Sequence, residues 1–163
     1  MKSIFKTTLI ASILIICSSK AQTTTDYINF YNTVVPKLKS ITPGKTQFYG
    51  QPFSIFYNEL QNRNINLVGL VYDTKIKPST KYHVVSLFFC DATMISIASK
   101  NSFRYPIINI TFEDEIPSHI ISAIEQNNSR WNTSLIQLFS NLKIENIKFI
   151  GINGYESSDR TIK

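Results

Sequence analysis

Cys90 and His83 are the first pair that could do chemistry, because a thiol nucleophile needs a base within hydrogen-bond reach and some exposure. They bound the apolar run HVVSLFFC, seven positions apart. In one unbroken strand side chains alternate faces, so an odd spacing turns the two away from each other. Cys90 would then share its face with Val84, Ser86 and Phe88 and sit there as a buried, inert thiol. A bulge between them would restore the parity. Glu113-Asp114-Glu115 is the acidic cluster of the chain. Three carboxylates suit a hard cation such as calcium. Extended backbone would send neighbours to opposite sides, however, and the spacing matches no calcium loop. An acidic turn before a helix N-terminus accounts for it. His119 opens that helix in the order Pro117-Ser118-His119. Its ring titrates near neutral pH, but no nucleophile stands beside it in the sequence. No catalytic set can be named, and neither a metal nor a cofactor is expected.

Binding is the better-supported chemistry. Phe48, Tyr49 and Gln51 fall in a connector after the turn Thr42-Pro43-Gly44, and connectors carry binding residues disproportionately. Ile108, Ile110 and Phe112 alternate with Asn109, Thr111 and Glu113, the pattern of a strand with one wet face. Thr93 to Ala98 reads as another strand, with Ile95 and Ile97 on one side and Ser96 on the other. The expected working surface is therefore the wet face holding Ser96, Asn109, Thr111 and Glu113, or the Phe48–Gln51 connector. Asn109, Asn127 and Asn132 also head glycosylation triplets, which matter only in a eukaryotic secretory pathway.

The elements that must position these residues follow from periodicity. A helix is expected from Asp26, a suitable cap, with Tyr27, Phe30, Tyr31, Val34, Leu38 and Ile41 on its apolar stripe. Pro36 would kink it or end it early. A short second helix carries Ile55, Phe56 and Leu60, with Ser54 as its cap. Ile65 to Tyr72 reads as a strand buried on both faces. His83 to Cys90, Thr93 to Ala98, Ile108 to Glu113 and Ile147 to Ile152 complete the strands. Pro117-Ser118 opens a helix through Gln126. A last helix holds Trp131, Leu135, Leu138, Phe139 and Leu142, and Trp131 should pack with Leu135 and Leu138 onto the sheet. These elements do not alternate as βαβα. The expectation is an α+β fold in a single domain, with an antiparallel or mixed sheet of about five strands and helices packed on one face.

The N-terminus points to export. Lys2 and Lys6 precede the apolar run Leu9 to Ile16, and Ser19-Lys20-Ala21 supplies small residues before a cut. That is the order of a secretory signal peptide, residues 1–21. The run is shorter than the roughly 20 residues that span a bilayer, so no transmembrane anchor is expected in the mature chain. Leu14-Ile15-Ile16-Cys17 resembles the lipobox of bacterial lipoproteins. Bulky Ile16 stands where that box carries a small residue, so cleavage after Ala21 is expected rather than a lipid anchor. The globular domain then covers residues 22–153, and residues 154–163 form a polar, frayed C-terminal tail. Lys2, Lys6 and Lys20 carry three of the six net positive charges, so the remainder holds +3. That is too mild and too scattered for nucleic acid. Loss of Cys17 leaves one cysteine and no internal disulfide.

Together these features predict a small exported binding or accessory module of the bacterial periplasm or exterior, with a protein, peptide or glycan partner. A small exported hydrolase using histidine and carboxylate groups is the alternative. An inhibitor or immunity-type protein is a third.

Overall fold

Thr23 and Asp26 start the fold. The computed structural model describes residues 22–163, so the expected signal peptide, with Cys17, lies outside the described residues. Helix α1 (Thr24–Ile41) is closed by a capping box. Thr23 Oγ1 accepts from the Asp26 amide at 3.2 Å, and the Asp26 carboxylate accepts from the Thr23 amide at 2.7 Å. Thr23, not Asp26, is thus the cap, and Asp26 supplies the reciprocal bond. Pro36 lies inside α1 without ending it. Burial of Tyr31, Val35, Leu38 and Ile41 around it holds the helix on the core. A 3-10 turn (Thr42–Phe48) and helix α2 (Phe53–Asn62) follow. Pro52, not Ser54, caps α2.

The sheet has four strands: β1 (Gly69–Thr74), β2 (Tyr82–Phe88), β3 (Ile107–Phe112) and β4 (Ile144–Ile150). Every neighbouring pair is antiparallel and the order is β1-β2-β3-β4. Each strand therefore pairs with the next strand in the chain. Helix α3 (Ala92–Lys100) fills the β2–β3 connection, and α4 (Ser118–Gln126) and α5 (Thr133–Phe139) fill the β3–β4 connection. The architecture is a single α+β domain.

The expected strand at Thr93–Ala98 is part of α3, which reduces the sheet from about five strands to four. Asp91 decides this. Its Oδ1 accepts from the Met94 amide at 2.9 Å, satisfying a donor that only a helix start leaves free. Met94, Ile97 and Ala98 then turn inward at helical spacing, and Ser96 faces solvent. β1 also differs from expectation. Ile65 and Leu67 reach the core before the strand begins, and β1 has a strand partner on one side only. Val71 is 43% exposed, so the strand is not buried on both faces.

Trp131 precedes α5 rather than starting it. Asn132 is the cap, accepting from the Leu135 amide at 3.1 Å. The Trp131 amide donates to Val68 O, and its ring joins Phe53, Tyr57 and Phe139. The last ten residues are not a frayed tail. Arg104 N donates to Tyr155 O, Gly154 N donates to Tyr31 Oη, and Phe149 and Lys163 exchange two backbone bonds of 2.8 and 3.0 Å. Backbone bonds hold this segment where its polar composition offers little to bury.

One face of the sheet belongs to the core. Leu70, Leu87, Ile108 and Phe149 form one buried rung across all four strands, and Val85, Ile110 and Ile147 lie in the next. Tyr27, Leu38, Phe56, Ile124 and Leu135 of the helices share that core. The other face is left partly open.

Candidate functional site

Register sets out the open face in rungs. Val71, Ser86, Asn109 and Lys148 stand side by side, and Asp73, Val84, Thr111 and Asn146 form the next rung. Period-two alternation puts these side chains opposite the buried rungs. A hollow of about 300 Å³ lies over them, also lined by Thr74, Lys75 and Glu145. Two carboxylates and two ammonium groups line it, so its formal charges cancel. Two of its lining side chains carry a buried oxygen with no partner, Thr74 Oγ1 and Asn109 Oδ1. Lys75 Nζ pairs with the Glu145 carboxylate. Lys75 follows β1 and Glu145 is on β4, with two strands between them, so this ion pair reaches across the face.

The structure brings together only part of the expected set. Asn109 and Thr111 lie in adjacent rungs of the hollow. Tyr49 joins at the rim, where its hydroxyl donates to Asn146 Oδ1 at 2.9 Å. Phe48 is buried and packs edge-on against Phe56 at 5.1 Å, so it is a core residue and no ligand contact. Gln51 is exposed beside a separate shallow groove with Ile55 and Asn58, and its backbone pairs with Ile144. Ser96 is on α3, away from the sheet rungs. Glu113 follows a register slip at Thr111/Phe112, and its amide donates to Lys143 O. The slip and the end of β3 carry it out of the hollow.

Asp73, Asn146 and Lys148 escaped the sequence reading. Asn146 and Lys148 do alternate with buried Ile147 and Phe149, so their wet face was readable. Their position beside Thr111 and Asn109 needed the register.

The thiol and histidine candidates lie elsewhere. β1 pairing jumps from Val84 to Tyr82, leaving His83 in a bulge, and β2 ends at Phe88, short of Cys90. The alternation that separated the two residues therefore does not apply to them. Cys90 is 8% exposed, and burial pushes its thiol up to about 12, with Asp91 adding to the rise. A neutral thiol is a poor nucleophile. Cys90 lines a larger groove of about 860 Å³ with Val68, Phe88, Ile95 and Arg130. His119 is exposed, and Glu115 of the acidic turn lies 3.9 Å from Lys81. Among the described residues no three His, Cys, Asp or Glu side chains converge on a metal position. Among them, too, no helix is long and apolar enough to cross a membrane.

Comparison with protein-family models, with curated proteins and with solved structures found no match.

Proposed function

We propose that this chain is a small exported binding module whose working surface is the hollow on the open sheet face. The observation that carries this reading is the pair of unpartnered oxygens, Thr74 Oγ1 and Asn109 Oδ1, on residues lining one hollow. A buried polar atom without a partner costs about 1–3 kcal/mol. Two such costs at one site are offset when a ligand supplies the missing hydrogen bonds. Export rests on the signal pattern of residues 1–21. A cut before Gln22 also retains both members of the α1 capping box, Thr23 and Asp26.

Amide-resolved NMR of the protein against a mixed library of small polar compounds tests the reading. Ligands should shift amides of residues 73–75, 109–111 and 145–148 together. Hits that instead gather around Val68, Ile95 and Arg130 would transfer the function to the larger groove and overturn it.

A further inference from the structure

The hollow limits what can fill it, and on the binding reading above we propose that it takes one ring of an uncharged saccharide. Size comes first. A space of about 300 Å³ is at the small end of ligand sites, suited to a single ring rather than a folded peptide. Charge comes second. Asp73 and Glu145 balance Lys75 and Lys148, so no net field selects an anion or a cation. Hydrogen-bond type comes third. Asn109 and Asn146 each combine an acceptor with two donors, and Thr74 and Thr111 each offer a hydroxyl that does both. A phosphate mainly accepts and an ammonium only donates, so either leaves much of this lining unmet. A saccharide ring presents several hydroxyls, each of which both gives and takes. Val84, on the β2 segment of the same rung, supplies an apolar spot for the C–H face of such a ring. An extended peptide is disfavoured for a separate reason. It needs a free strand edge for its backbone, whereas this hollow is lined by side chains across the face of the sheet.

The Lys75–Glu145 pair lies on the lining of the hollow. Its side chains are 44% and 39% exposed, and ion pairs of that kind hold weakly and are screened by salt. Asn109 Oδ1 and Thr74 Oγ1 are buried on residues that line the same hollow as the pair. Saccharide affinity should therefore hold steady or rise with salt, where affinity for an anion would fall.

The test is calorimetric titration and saturation-transfer NMR with glucose, galactose, mannose and N-acetylglucosamine, beside inorganic phosphate and a neutral tripeptide. At least one saccharide should bind and shift the amides of residues 109–111 and 145–148. Asn109→Ala should weaken it about tenfold while circular dichroism confirms the fold. Ser96→Ala, away from the hollow, should change nothing. Should Asn109→Ala not fold, Thr111→Val provides the same readout. Phosphate binding that falls with salt, or tripeptide binding in the hollow with no saccharide response, would overturn the saccharide and leave the binding module standing. Saccharide shifts confined to the groove near Ile95, or an absence of ligands of any class at the hollow, would overturn both.

Discussion

At mildly alkaline pH an ordinary thiol is partly thiolate, and Cys90 is not. Its thiol rises from the ordinary 9.0 to about 12 because burial disfavours the anion. Between those values the unfolded chain releases a proton that the folded chain keeps. The unfolded state then binds fewer protons, so stability falls as pH rises from about 9 towards 12. The Tyr31 phenol, also raised by burial, adds a fall of the same sign at higher pH. Urea unfolding across that range should show the loss, and Cys90→Ala should flatten its lower part. Thiol labelling of the native protein should be slow and should accelerate in denaturant. Burial of Cys90 was legible in its apolar run. The demand at Gly151 was not, because it depends on a neighbour distant in sequence. Gly50 and Gly151 have φ of +72° and +70°. A Cβ on Gly50 meets only Glu113 Oε1 at 3.8 Å, whereas one on Gly151 would overlap the Tyr105 carbonyl. Gly50→Ala should thus cost only the left-handed penalty, about 1–2 kcal/mol. Gly151→Ala should cost clearly more, read as the larger drop in melting temperature.

Among the elements, β3 was legible because its alternation is clean and both of its neighbours in the sheet are strands. α3 was not. Thr93, Ile95 and Ile97 carry the β-branched signature of a strand, and only Asp91, three residues before Met94, signals a helix start. α5 was legible as an apolar stripe, but Trp131 belongs to the connector before it. The indole nevertheless fills the space between Phe53, Tyr57 and Phe139, with centroids 5.8–6.2 Å away. Trp131 is half-buried, so Trp131→Ala should cost less than the about 3–5 kcal/mol of a fully buried ring, measured by chemical unfolding. Undiminished stability would mean that the aromatic cluster is not part of the packing that holds α2 to α5. Tyr31 links α1 to the C-terminal segment, donating to Gly151 O at 2.8 Å and accepting from Gly154 N at 2.9 Å. Tyr31→Phe should cost about 1–3 kcal/mol and speed amide exchange in residues 151–157 more than in β2.

For the molecule as a whole, the α+β class was readable from the grouping of elements, but the number of strands was not. Of the site, composition and alternation picked out Asn109 and Thr111. Phe48 failed because a 3-10 turn turns it inward, and Glu113 because a register slip carries it off the face. The proposed export makes a direct prediction. If the chain is exported as proposed, the mature form should begin at or near Gln22, and intact-mass analysis checks it. A product starting with an acylated Cys17 would make the protein lipid-anchored. The meander has a consequence in time. If the chain emerges N-terminus first, each strand meets its partner as soon as the next strand appears. α1 has no such luck. It emerges before any of the strands, yet its tyrosine hydroxyls close on Arg104 and Gly151, 77 and 120 positions later. Its apolar stripe must wait, uncovered, while the sheet is laid down, so the first of the described helices is among the last parts to be seated.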